Sequence, residues 1–137
     1  MPPDLILELA RAWVAKAQGD LILAELVMTA AGAPAWPIAF HCQQAVEKCI
    51  KARLVLWGVK PPVSHNLRAL TALADFAAAG FLLSLADLDA PQPFAVAERY
   101  PILLAPAVSL EDVAPLVDAA RRAMAWIERE LAARAEG

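Results

Sequence analysis

Apolar positions recur every three or four residues along most of this chain, the spacing of a helix that buries one face. Near the start, one stripe reads Trp13, Ala17, Asp20, Ala24, Val27 and Ala31. It predicts a first helix from about Asp4, taken as its N-cap, to about Ala31, stopped by Gly32-Ala33-Pro34. The second half, Leu21 to Met28, is apolar almost all round, which predicts burial on more than one side. Gly19 in mid-helix costs about 1 kcal/mol against alanine, and close packing against a neighbour is one reason to place it there. Asp20 interrupts the apolar stripe, and a carboxylate there requires a cation or hydrogen-bond donors.

A second helix is predicted from Trp36-Pro37, with proline in the first turn, to Trp57-Gly58. Its polar pattern is unusual. His41, Gln44, Lys48 and Lys51 are spaced by 3, 4 and 3 residues, which gathers them on one side of a helix. Gln43 and Glu47 lie further round that side, and Ala45, Val46, Cys49, Ile50 and Leu54 make an apolar surface. Such a helix either fixes a polar network inside a bundle or displays a site.

Beyond it, Lys60-Pro61-Pro62-Val63-Ser64 forms a stiff, extended connection. A third helix opens at His65-Asn66-Leu67, capped by Ser64 or Asn66, and ends at Gly80. A short helix follows, about Leu82 to Leu88. Asp89 to Ala107, with Pro91, Pro93, Pro101 and Pro106 around Arg99-Tyr100-Pro101, is read as an ordered loop long enough to carry function. The last helix starts near Ser109-Leu110-Glu111-Asp112; Pro115 implies either a later start, near Ala114, or a bend. Val117, Ala120, Met124 or Ala123, Ile127 and Leu131 form its apolar stripe, while Arg121, Arg122, Glu128, Arg129 and Glu130 read mostly as solvated charge. The expected architecture is all-α, an up-and-down antiparallel bundle of about five helices, in a single domain over residues 1–137.

Composition sharpens this picture. Of the 137 residues, 60% are hydrophobic, and alanine, the best helix former, supplies much of the excess. No apolar run reaches the roughly 18 residues a membrane span needs, and no signal-peptide pattern opens the chain, so a cytoplasmic protein without membrane contact is expected. The net charge of −3 disfavours general electrostatic binding of nucleic acid, and the apolar excess favours oligomerisation. Cys42 and Cys49 lie two helical turns apart, about 10.5 Å along the axis, too far for a disulfide. They read as small buried hydrophobes.

Candidate chemistry is narrow. The five glycines are scattered, so no phosphate-binding loop exists. No HExxH, paired CxxC or nucleophile elbow occurs, so neither a metal nor a cofactor is implied. The stripe of His41, Gln44, Lys48 and Lys51 suits a phosphate or another anion. The competing reading has its lysines solvated and His41 and Gln44 satisfied within the bundle. Arg99 is a candidate partner for Asp20 or Glu47, and equally, with Tyr100, for a ligand.

Several of these pieces, in this order, resemble the HEPN (higher eukaryote and prokaryote nucleotide-binding) domain in its compact prokaryotic form. They are Trp13-x-x-Lys16-Ala17-x-x-Asp20-Leu21-x-x-Ala24, Phe40-His41-x-Gln43-Gln44-Ala45-x-Glu47-Lys48-x-x-Lys51-Ala52, Ser64-His65-Asn66-Leu67 in place of the common Thr-His-Asp-Leu, and Arg99-Tyr100-Pro101. The resemblance implies a dimeric all-α bundle. It also implies a minimal nucleotidyltransferase as partner, sometimes as a toxin–antitoxin pair. Several branches of that family are metal-independent ribonucleases that use Arg, four to six residues, then His, late in the domain. Here Arg121 and Arg122 are followed at those spacings by Trp126, Ile127, Glu128 and Arg129. The imidazole that would move protons at an RNA 2′-hydroxyl is missing from that place.

The leading expectation is therefore a non-catalytic HEPN-type interaction module, with no catalytic residue assigned. Asp20, His41, Gln44, Glu47, Lys48, Lys51, His65, Arg99 and Tyr100 are the candidates to bind a nucleotide or another anion. The alternative is a diverged toxin ribonuclease with His41 or His65 as the imidazole and Arg99 or Arg121 at the phosphate. The third is a structural subunit whose polar face is an internal network.

Overall fold

A computed structural model describes residues 1–61, 63 and 110–137 of the chain. Within them lie three α-helices and no strand: α1 over Pro3–Thr29, α2 over Trp36–Leu56 and α3 over Leu110–Glu136. The fold is all-α, as the periodicity and alanine content predict. The helices expected at 65–80 and 82–88, and the loop at 89–107, lie outside the described residues.

Helix α2 is the central element. Fourteen of its 21 residues are buried, and it packs against both α1 and α3. Helix α1 buries Ala10, Ala17, Leu21 and Ala24 along one line, mostly alanines, so the backbones approach closely. Trp13 lies against Lys51 of α2, and Asp20 against His41 and Lys48, so the two helices run antiparallel. Cys49 meets Met124 and Arg53 meets Glu130, so α2 and α3 run parallel. The apolar stripe of α3 is as predicted, with Val117, Ala120, Ala123, Met124 and Ile127 buried and Leu131 partly so; Trp126 joins them. Among the described residues, no helix is long and apolar enough to cross a membrane.

The ends of α2 follow from its sequence. Pro37 occupies the first turn, where no helical donor is lost. At the other end Gly58 takes a φ of 74°, and its N–H reaches the Val55 carbonyl at 3.0 Å while Val59 N–H reaches that of Leu54 at 2.9 Å. This is a Schellman turn, and it needs a residue that tolerates left-handed backbone.

Three expectations are corrected. Asp4 is not a cap: α1 starts at Pro3, Pro2 holds the cap position, and Asp4 lies in the first turn, where its charge favours the helix dipole. The apolar second half of α1 is not buried on several sides. Leu21 and Ala24 are inside, but Ile22, Leu23, Met28 and above all Leu26, at 61%, face outward. Gly19 serves no close approach among the described residues, where a Cβ would meet nothing within 4 Å. Within the described residues helix α3 runs from Leu110 with Pro115 inside it, which agrees with the start expected near Ser109-Leu110 and not with the alternative start near Ala114.

Candidate functional site

The polar side of α2 is not one stripe but two groups. The outer group forms around Asp20, which α1 presents to α2 from its apolar stripe. One carboxylate oxygen of Asp20 lies 2.9 Å from His41 Nδ1, and the other accepts from Lys48 Nζ. His41 and Lys48 are two turns apart on α2, so a single carboxylate on the facing helix spans them. An Nδ1–H donor to Asp20 puts the neutral imidazole in the tautomer whose Nε2 carries a lone pair. The phenyl ring of Phe40 sits edge-on to the imidazole, with centroids 5.3 Å apart. The side chains of His41 and Lys48 remain 24% and 21% exposed, so this group opens to solvent.

The inner group is a relay along α2 itself. Gln44 Nε2 donates to Gln43 Oε1 at 2.8 Å, Gln43 Nε2 to Glu47 Oε1 at 3.3 Å, and Lys51 Nζ to Glu47 Oε2 at 3.4 Å. Glu47 precedes Lys51 by one turn, the favourable order for such a pair. The Lys51 ammonium also lies 5.4 Å from the ring centre of Trp13. Gln43, Glu47 and Lys51 are buried, and the Glu47 side chain is only 3% exposed. Each cation here has a carboxylate, as buried charge requires.

Of the sequence candidates, the fold thus gathers Asp20, His41 and Lys48 in one cluster and Gln44, Glu47 and Lys51 in the other. His65, Arg99 and Tyr100 lie outside the described residues. Both oxygens of Asp20 are taken by α2 side chains, so the cation that its position demanded comes from the helix next to it.

The pattern missed Arg53. It is buried near the end of α2, ion-paired with Glu130 of α3, and its guanidinium lies 4.9 Å from the Trp57 ring centre and 5.8 Å from that of Trp126. Glu130 is therefore not simply solvated charge. Glu130 extends from a polar run and gave no sign of a partner; Arg53, between Ala52 and Leu54, did stand in apolar surroundings.

Neither cysteine offers chemistry. Both are buried and unbridged. Burial, with Glu25 adding to it, pushes the Cys42 thiol up to about 12. Burial pushes Cys49 up as well, with Glu128 adding to it. Both stay protonated and unreactive at neutral pH. Among the described residues, no three His, Cys, Asp or Glu side chains are grouped to hold a metal.

On α3, Arg121 is exposed and pairs at 3.5 Å with both Glu25 of α1 and Asp118. The positions following it at the ribonuclease spacing point two ways. Trp126 and Ile127 are in the core, and Glu128 and Arg129 are outside.

No curated protein and no solved structure matches this sequence. The profile of the HEPN domain matches residues 10–130, which takes in the whole of α2, most of α1 and α3 and both polar groups, and the chain belongs to the HEPN domain family.

Proposed function

We propose that this chain is a HEPN-type interaction module, a helical homodimer that works with a minimal nucleotidyltransferase as a toxin–antitoxin-like pair in the cytoplasm. The observation that carries this reading is at the end of the domain. Where a family ribonuclease places histidine after its arginine, this chain has Trp126, Ile127, Glu128 and Arg129, the first two packed into the core and the last two outside it. The exposed Ile22, Leu23 and Leu26 of α1 supply apolar surface suited to a protein contact.

A nucleotide or other anion is assigned to the outer group. His41 and Lys48 reach solvent there, whereas Lys51 is enclosed with Glu47. The ligand must compete with Asp20 for both donors, which sets its affinity low. Calorimetric titration with ATP and other nucleotides tests this, with Lys48→Ala as the control. Absence of heat at millimolar ligand, or equal binding by Lys48→Ala, defeats the ligand part. Co-purification with a small nucleotidyltransferase encoded beside it tests the partner.

The Asp20–His41 bond favours a second reading. A carboxylate on Nδ1 holds an imidazole with Nε2 available as a base, the arrangement that orients a catalytic histidine. In this reading the chain is a diverged toxin ribonuclease. Purified protein that cuts RNA, and loses that activity in His41→Gln, would establish it over the first; intact RNA with and without metal counts against it.

A further inference from the structure

The outward side of α1 carries a second pattern, offset from the one that builds the core. Ala10, Ala17 and Ala24 repeat every heptad and are buried in the bundle. Leu9 and Leu23, two heptads apart, and Leu5 and Leu26, three heptads apart, are all exposed. Between these leucines the same alternation of three and four residues is completed by Ala12, Lys16 and Gly19, and after them by Ala30, all exposed too. The two sets lie about 130° apart around the helix. The outer set has the spacing of a coiled-coil seam and runs for about 38 Å. Lys16 is the one charge in it. Its ammonium lies 5.9 Å from the ring centre of Trp13 on the same helix, so the charge is carried to the edge of the seam and the stem stays in it.

This seam is complementary to its own reverse. Set antiparallel across a two-fold axis between Ala17 and Gln18, it places Leu5 beside the partner's Ala30 and Leu9 beside the partner's Leu26. Ala12 then meets the partner's Leu23, and Lys16 the partner's Gly19. Three of these four pairs set a long side chain against a small one, and the fourth sets leucine on leucine, so the two helices interdigitate. At the flank, exposed Ile22 falls beside the partner's Ala15. A parallel pair would instead set Lys16 against the partner's Lys16 and Gly19 against the partner's Gly19, which opposes like charges and leaves a gap. We propose that this chain pairs with a second copy of itself through an antiparallel α1–α1 seam in this register. The pairing rests on the homodimer reading above and gives it a surface. A two-fold axis repeats every contact, as a closed dimer requires.

Light scattering over a concentration series measures the pairing, and disulfide trapping measures its register. Leu26→Glu, at an exposed position, is expected to weaken dimerisation at least about a hundredfold, because each dimer loses two buried leucines, while the helical circular dichroism stays that of the parent. Ala12→Cys mixed with Leu23→Cys under mild oxidation is expected to give the mixed disulfide between the two chains. Neither variant should link to itself, since like positions stand about 16 Å apart along the seam. The native Cys42 and Cys49 are buried and do not compete. A parent that is monomeric at about 100 μM removes the homodimer reading and the seam together. A dimer that survives Leu26→Glu keeps the homodimer and overturns the seam. So does a dimer in which Ala12→Cys links only to itself, or in which no mixed disulfide forms.

Discussion

The Asp20 carboxylate stands 2.9 Å from His41 Nδ1, a bond between α1 and α2 that a second helix 2 donor, Lys48, reinforces on the other oxygen. Because this cluster is only partly buried, its energetic weight is below that of an enclosed ion pair. Asp20→Ala should lower stability by about 1–2 kcal/mol, since His41 and Lys48 lose a shared acceptor. His41→Ala, which leaves the Asp20–Lys48 pair in place, should cost less. Urea denaturation of the three proteins checks the order; an Asp20→Ala midpoint equal to the parent's would mean the cluster contributes nothing to the α1–α2 seam.

Arg53 and Glu130 make the stronger case. Arg53 is enclosed by Trp57 and Trp126, so removing Glu130 leaves a buried cation without its carboxylate. Glu130→Ala should cost about 3 kcal/mol, and adding Arg53→Met, which keeps the stem volume without the charge, should restore most of it. A double-mutant cycle in urea measures this directly. Additive losses in the double variant would show that the pair is not coupled.

Gly19 is a site for gain. Among the described residues a Cβ at this position meets nothing within 4 Å, and the residue lies within α1 with ordinary helical neighbours. Gly19→Ala should therefore stabilise the fold by about 0.5–1 kcal/mol, mainly by restricting the unfolded chain. A thermal melt with no rise in Tm would point to a partner that needs the bare backbone.

What the sequence disclosed, and what it hid, divides along physical lines. Helix class and helix ends are local properties, so Gly32-Ala33-Pro34, Trp36-Pro37 and Trp57-Gly58 marked α1 and α2 to within a residue or two. The demand of Asp20 for a donor was also legible, because a carboxylate in an apolar stripe is costly wherever the helix packs. Which donor answers depends on inter-helix register, and register is not written in one helix. The same limit hid the Arg53–Glu130 pair, whose members are 77 positions apart. It also made the outward face of α1 unreadable, since Leu26 has the character of a core residue and only the placement of neighbours leaves it uncovered.

The thiols predict an alkaline response. The folded pKa of Cys42 is raised to about 12 from an ordinary value of 9.0, chiefly by burial, and that of Cys49 is raised too. At neutral pH, well below the unfolded value of 9.0, both thiols are protonated in the folded and unfolded chains and stability does not change with pH through them. As pH rises from about 9 toward 12, the unfolded chain releases these protons and the folded one does not, so stability falls through that window. Double replacement by alanine should flatten the slope between pH 9 and 10.5, measured by urea unfolding at fixed ionic strength. At pH 8 the native thiols should also resist a disulfide reagent that labels both once urea is added; rapid native labelling would contradict their burial.

Trp126 gives the sharpest check on the functional reading. It stands five positions after Arg121, where the family's ribonuclease motif admits histidine, so Trp126→His restores the motif in sequence. The structure assigns the position to the core, with the indole packed near the buried Arg53 guanidinium and only 2% exposed. An imidazole there replaces a large apolar ring by a smaller polar one, at an expected cost of about 3 kcal/mol. It would not reach a phosphate held by Arg121, which points outward to Glu25 and Asp118. The variant should therefore show a lower Tm and no cleavage of a fluorescent RNA. Cleavage that appears in Trp126→His and vanishes when Arg121→Ala is added would place the helix α3 arginine in a latent ribonuclease site and overturn the non-catalytic reading.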